Sequence, residues 1–303
     1  MVKKMLKGIG ILLGALMGLL VLSVGAAYGV SQYKLNRTYP TPVIGLKIGN
    51  DAATIERGKH LATAVAVCVD CHGPDLSGKT ILDDPAIGLV QSPNITSGKN
   101  GYGPKLSDED IARVVRFGVM PDGRSARIMS SDDYITLSDA DLADIIAYVR
   151  SVPPVDSAPY QITLHPLGAI LHAVGQVPID TAARLNRSHY KSDAPPIGPT
   201  VEYGHYLAKI SGCMGCHNPS LSGGPIVGTP PGYPETSNLT PKGELSAFTE
   251  ETFMTTVRTG VNPFGRKLND VMPSKYYKNM TDVELKALWA YIKTIPSKEY
   301  AQR

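Results

Sequence analysis

The sequence predicts an all-α chain: one apolar N-terminal helix, then a small helical domain written twice. Three observations carry this. An uncharged apolar run fills residues 8–30, the rest of the chain repeats at a period of 142 to 146 residues, and each repeat closes on a capped, helically spaced run. A length of 303 residues suits two domains that each bury a core. The expected division is 1–30 anchor or signal segment, 31–50 linker, 51–155 first domain, 156–198 connector and 199–303 second domain.

The leading segment comes first. Lys3, Lys4 and Lys7 precede 23 residues that are almost entirely apolar. As a helix they would measure about 34 Å, against a hydrocarbon core of roughly 30 Å. A cleaved signal peptide is the alternative, since Gly25-Ala26-Ala27 offers small residues to a peptidase. Its apolar core is usually about 7–15 residues, so a retained transmembrane helix is expected. The lysines then stay inside and everything after Ser31 is exported. Those three lysines also account for the formal net charge of +3, because the remainder holds 27 basic and 27 acidic residues. That balance points away from a nucleic-acid partner and from strong electrostatic steering.

The repeat then unfolds in order. Glu56-Arg57-Gly58 answers Glu202-Tyr203-Gly204, and Leu61-Ala62 answers Leu207-Ala208, in a first helix of each copy. Leu76-Ser77-Gly78 answers Leu221-Ser222-Gly223, and Asn94-Ile95-Thr96 answers Asn238-Leu239-Thr240. These lie in Gly- and Pro-rich stretches, residues 73–104 and 218–242, which read as loops. A middle helix starts after Ser107, with Asp110 three residues on, and after Thr249. It ends at Arg116-Phe117-Gly118-Val119 and Arg258-Thr259-Gly260-Val261. The last helix is capped by Ser138 ahead of Leu142, Ile145, Ile146 and Val149, and by Thr281 ahead of Leu285, Leu288, Trp289 and Ile292. In the connector, Leu167, Ile170, Leu171 and Val174 follow helical spacing. They predict a short helix wedged between the two domains; contact with the membrane surface or a partner enzyme is the alternative.

Each first helix runs into a five-residue signal: Cys68-Val69-Asp70-Cys71-His72 and Cys213-Met214-Gly215-Cys216-His217. C-x-x-C-H is the attachment sequence of c-type haem. Two cysteines three apart at a helix start set both sulfurs along one porphyrin edge, and the adjoining histidine reaches the iron. C-x-x-C alone also serves zinc and thiol redox chemistry. Here each copy carries the histidine, and the four cysteines of the chain are all consumed in the two motifs. Two covalently bound haem c groups are therefore expected, attached through Cys68, Cys71, Cys213 and Cys216, with His72 and His217 as axial ligands. An exported chain agrees, because bacteria complete this attachment outside the cytoplasmic membrane.

These residues resemble the class I cytochromes c in tandem dihaem form, over about two thirds of the chain. The Asn-Ile-Thr and Asn-Leu-Thr loops, and the endings Arg150-Ser151-Val152-Pro153-Pro154-Val155 and Lys293-Thr294-Ile295-Pro296, are similar to the cytochrome subunits of membrane-bound alcohol and gluconate dehydrogenases. Those subunits usually carry three haem motifs, and this chain carries two. The resemblance implies an electron carrier rather than an enzyme. It would pass single electrons outside the cytoplasmic membrane, from a dehydrogenase or quinol-oxidising complex to an oxidase or soluble cytochrome. The alternatives are a dihaem enzyme (a peroxidase or thiosulfate dehydrogenase), which needs an iron with an open position, and a fixed subunit of a larger complex.

The sixth iron ligand separates these readings, because methionine closes the site and raises the potential. In copy two, Met272-Pro273 lies 55 residues after His217, where the family places its ligand, and Met280 reads as core. Copy one offers Met120 and Met129. Met120 aligns with Asn262, whereas Met129 lies 57 residues after His72 and aligns with Met272 at the offset of the last helices. Met129 and Met272 are the expected ligands, the former without the stiffening proline. Asn94, Arg116, Asn238 and Arg258 recur in both copies and are candidates for haem propionates, with loop and cap bonding as the alternative. His60, His165, His172, His189 and His205 have no histidine partner in the repeat and read as surface or packing residues.

Overall fold

The computed structural model describes residues 2–185, 190, 192–229 and 232–302; His189 lies outside them. Helix α1 runs from Val2 to Asn36, about 52 Å long at the usual rise per residue. Among the described residues it is the one helix long and apolar enough to cross a membrane, and none of its most apolar stretch is buried.

Copy one is built from α2 (Ala52–His60), α3 (Cys68–His72), α4 (Asp108–Phe117), α5 (Ser131–Tyr134) and α6 (Asp139–Ser151). Between α2 and α3 the chain makes a π-helical turn, Leu61–Val65. The connector contributes α7 (Pro166–Ala173) and α8 (Thr181–Arg184). Copy two repeats the pattern with α9 (Val201–Ile210), α10 (Cys213–Cys216), α11 (Glu250–Thr259), α12 (Ser274–Tyr277) and α13 (Asp282–Ile292).

The helix starts follow local chemistry. Ser107 and Asp110 form a reciprocal capping box on α4, as do Thr249 and Thr252 on α11 and Thr281 and Glu284 on α13. Ser138 caps α6 by accepting from Asp141 N at 3.0 Å. Both middle helices stop at a left-handed glycine, Gly118 at φ 61° and Gly260 at φ 69°.

In each copy the first helix crosses the last at a glycine. A Cβ on Gly58 would fall 1.8 Å from the Asp144 carbonyl oxygen, and one on Gly204 would fall 1.9 Å from that of Ala287. Absence of a side chain lets the backbones touch and buries Leu61, Leu142 and Ile146 in one copy and Leu207, Leu285 and Leu288 in the other. The two sets belong to one continuous apolar core.

The copies meet about a pseudo-two-fold axis. His60 Nε2 lies 2.9 Å from Glu284, and the repeat-related Tyr206 hydroxyl donates to Asp141, the counterpart of Glu284. Each acid sits at the third position of its last helix; the Glu284 carboxylate also closes its helix end, whereas that of Asp141 serves Arg57 and Tyr206.

Two expectations are corrected. The chain is mostly helical rather than all-α: β1 (Lys79–Asp84), β2 (Gly88–Ser92) and β3 (Ile162–Leu164) form an antiparallel three-stranded sheet. It occupies part of the stretch expected as loop in copy one, with the connector supplying the third strand. Asp84 starts the hairpin turn by accepting from Ala86 and Ile87 N, both at 2.8 Å. Secondly, α7 forms where helical spacing placed it, but it packs on α1 and the hairpin turn, not between the copies. Lys34 of α1 donates to Ala173 O at the end of α7, 2.6 Å away, and Gly168 is pressed against Ile87 O.

Candidate functional site

The two C-x-x-C-H segments are short helices, α3 and α10, each entered through a left-handed residue, Val67 at φ 43° and Gly212 at φ 73°. This reversal turns the chain off the first helix and presents both cysteines on one side. After the histidine the same knot of hydrogen bonds recurs. Gly78 N donates to His72 O at 2.8 Å, and Gly223 N to His217 O at 3.0 Å. Leu76 and Leu221 take positive φ, 61° and 59°, and accept from Ile95 N and Leu239 N.

That knot orients the imidazoles. His72 Nδ1 lies 2.9 Å from Pro93 O, and His217 Nδ1 lies 2.7 Å from Ser237 O, in the residue just before each Asn-x-Thr loop. A carbonyl only accepts, so Nδ1 carries the proton and Nε2 keeps its lone pair for an iron. Burial depresses the pKa of both histidines, which keeps that nitrogen unprotonated.

Burial also pushes the thiols up, Cys68 to about 12 and Cys216 to about 11, with Cys71 and Cys213 shifted the same way. Such thiols stay protonated and are poor nucleophiles near neutral pH. Among the described residues no three His, Cys, Asp or Glu side chains gather as a metal cluster. Cys216 walls a cleft of about 720 Å³ shared with Leu221, Val227, Tyr291 and Ile295. A paired thiol edge, an aimed imidazole and an apolar cleft fit a covalently held haem.

The methionines fall into matched and unmatched positions. Ser130, after Met129, has φ −79° and ψ 45°; Pro273, after Met272, has φ −80° and ψ 43°. Serine therefore adopts the backbone that proline enforces, and both residues start a four-residue helix. Met120 lies elsewhere, in a tight turn where its N–H donates to Arg124 O at 2.9 Å, as Asn262 N does to Arg266 O at 3.0 Å. Met280 is 2 % exposed, in the core.

The four candidate propionate contacts each have partners within the protein. Asn94 accepts from Thr96 N and donates to Val155 O, while Asn238 accepts from Thr240 N and donates to Lys298 O. Each asparagine thus ties its loop to the chain beyond the last helix. Arg116 is fully buried, donates to Leu137 O at 2.8 Å and meets Asp139 at 2.7 Å; Arg258 engages Met280 O and Asp282. These bonds join helix ends and loops, and buried Arg116 Nε has no hydrogen-bond partner among the described residues.

Two residue pairs escaped sequence reasoning. The Tyr134 hydroxyl donates to Ala66 O at 2.6 Å, and that of Tyr277 donates to Ser211 O, each two residues before the first cysteine. Burial raises both phenols well above their ordinary pKa, so they remain donors. Ser92 and Thr236 donate to Cys71 O and Cys216 O. The signal was available, since each tyrosine follows its matched methionine by five residues.

The remaining histidines do other work. His60 holds Glu284, the His165 ring meets Pro85 O at 2.8 Å, and His205 packs on Tyr291. His172 is 3 % exposed and bonded at both ring nitrogens.

The sites lie against one another. Helix α5 of copy one packs on α9 and α10, and α12 of copy two packs on the π turn of copy one. Lys275 reaches to 3.6 Å from Asp70, inside the first motif. Asp133 faces Gly215, inside the second, with its carboxyl pushed up to about 7 by burial and by Asp132.

Comparison with known proteins agrees with this geometry. Residues 55–153 match the family model described as cytochrome c, and residues 200–292 match that of the cbb3-type cytochrome c oxidase subunit III. The chain is 34 % identical over 103 residues to a fructose dehydrogenase cytochrome subunit of Gluconobacter japonicus, 32 % of this chain and 21 % of that protein. It is 33 % identical over 97 residues to a gluconate 2-dehydrogenase cytochrome c subunit of Pantoea cypripedii, covering 30 % and 22 %. A quinone alcohol dehydrogenase cytochrome c subunit of Gluconobacter oxydans is 29 % identical over 98 residues, covering 30 % and 20 %. The matches thus span about a fifth of the length of these curated relatives. The chain is cytochrome-c-like in both copies and resembles cytochrome c subunits of quinone-linked dehydrogenases, not their catalytic domains.

Proposed function

We propose that this chain is a membrane-anchored dihaem electron carrier. Thioethers to Cys68 and Cys71, and to Cys213 and Cys216, would hold the two haems; His72 with Met129, and His217 with Met272, would supply the axial ligands. The observation that carries the reading is the duplicated hydrogen-bond frame, in which each imidazole is aimed by a carbonyl and each matched methionine precedes the same helical turn. Bound haem supplies a reversible one-electron couple at iron. The protein's part is to fix the ligands, exclude water and hold the two sites at one shared interface. That interface supports electron passage between the copies.

In this reading helix α1 anchors the carrier in the cytoplasmic membrane, with its N-terminal lysines inside and the cytochrome-like copies outside. Its donor in this reading is a quinone-linked dehydrogenase or quinol-oxidising complex, and its acceptor an oxidase or soluble cytochrome. Methionine at both irons favours carrier over enzyme.

The test is a haem count and a carbon monoxide titration on the full chain. Denaturation in alkaline pyridine should give two c-type haems per chain, and the reduced protein should bind carbon monoxide slowly at both. One haem, or haem extracted by acidic acetone, would overturn the attachment reading. Rapid binding at one haem would overturn the carrier in favour of an enzyme.

A further inference from the structure

The connector touches the loop that carries Met129. Thr181, fully buried, donates its hydroxyl to Met129 O at 2.8 Å. Ile128, held at φ 56°, donates its N–H to Ile179 O at 3.1 Å. Thr181 N donates to Ala126 O at 3.3 Å, and Ala182 N to Ser125 Oγ at 2.9 Å. Four bonds thus clamp residues 125–129 against residues 179–182. The Thr181 methyl also fills the space above Gly118, where a Cβ would fall 2.5 Å away. In copy two the corresponding carbonyl, Met272 O, accepts from Ser274 N of its own loop, and Pro273 stiffens the turn.

The clamp is itself anchored. Asp180, 5 % exposed, accepts from Arg127 through one oxygen and from His172 Nε2, 2.8 Å away, through the other. Arg127 also donates to Leu35 O near the end of α1. His172 Nδ1 lies 2.9 Å from the hydroxyl of Ser31, which is fully buried on α1. A continuous buried polar chain, Ser31–His172–Asp180–Arg127, therefore joins the membrane helix to the Met129 loop. Such a chain is costly to leave half satisfied, so its members hold one another in place.

We propose that Thr181 and Asp180 are positioning residues for the copy-one axial methionine, replacing the stiffness that Pro273 gives copy two, with α1 as their fixed support. The proposal rests on Met129 being that ligand. Loss of the Thr181 hydroxyl removes one buried hydrogen bond, typically about 1 kcal/mol, so the population with the sulfur off the iron should rise roughly five- to tenfold.

The experiment uses the full-length, haem-loaded protein in detergent. It measures carbon monoxide binding to the reduced form and the methionine-to-ferric-iron absorption band of the oxidised form. Thr181→Val and Asp180→Asn should each speed binding at one haem by roughly five- to tenfold. Thr181→Ser should bind as the parent does, which separates hydrogen bonding from loss of fold. Met129→Ala should abolish the band of one haem. If Met129→Ala has that effect while Thr181→Val and Asp180→Asn bind as slowly as the parent, the brace is refuted and the ligand stands. If Met129→Ala leaves both bands, the ligand assignment fails and the brace with it.

Discussion

Substitution of alanine for Gly58 or Gly204 tests the helix crossing on which both sites depend. An added Cβ would lie 1.8 Å from Asp144 O in copy one and 1.9 Å from Ala287 O in copy two. An ordinary carbon–oxygen contact is about 3.3 Å, so the helices must part by roughly 1.5 Å. Forcing such a gap into a packed core costs about 1–3 kcal/mol. The two copies share one apolar core and should unfold together, as a unit in which 1 kcal/mol lowers Tm by about 2–4 °C. Either substitution should therefore lower Tm by roughly 2–12 °C. Gly198 is the control: a Cβ there meets nothing closer than 3.6 Å, and its φ is ordinary. Gly198→Ala should be neutral or slightly stabilising, through a stiffer unfolded chain. Thermal melting of the haem-loaded protein, followed by far-ultraviolet circular dichroism, reads all three. A Gly58→Ala or Gly204→Ala protein melting within about 1 °C of the parent would refute the crossing argument.

The contact between copies should depend on pH. The bond to Glu284 raises the pKa of His60 above 6.5; burial pushes Glu284 up, but His60 and Thr281 outweigh it and hold that carboxyl below 4.5. The His60 contribution is full below 6.5 and fades as pH rises through its raised value, while that of Glu284 is full above 4.5 and fades as pH falls through its lowered one. The pair should stabilise most between these limits, and His60→Gln should flatten the alkaline side of a Tm-against-pH curve. Parallel curves for parent and variant would sink this. Arg116→Met should cost about 1–3 kcal/mol, because it leaves Leu137 O and Asp139 without their buried donor. The haem spectra and potentials should stay unchanged. A shifted copy-one potential at unaltered stability would instead restore the propionate role.

Much of the candidate site was legible in the chain because its chemistry is local. C-x-x-C-H fits within one helical turn, and its meaning does not wait on the rest of the fold. The last helices were equally plain, since Ser138 and Thr281 cap runs whose apolar spacing needs no tertiary partner. Copying supplied the long-range part. The offset that aligned the closing helices also paired Met129 with Met272, and the structure gives both the same following backbone despite serine in one and proline in the other. The apolar length of residues 8–30 was likewise enough to expect a helix there.

Tertiary structure decided what depended on residues meeting across the chain. The sheet was invisible because β1 lies largely exposed without clean alternation, and its third strand comes from a connector some 70 residues away. Arg116 and Asn94 recur in both copies, but recurrence did not say that they reach the carbonyls of Leu137 and Val155; only the fold brought these together. His172 looked like any unmatched histidine until α7 set its ring between Ser31 and Asp180. The physical reason is common to these cases. Helix caps and attachment motifs are satisfied by neighbours within a few residues, which a sequence displays. Buried polar groups are satisfied by whichever distant backbone the fold brings within about 3 Å, which it does not.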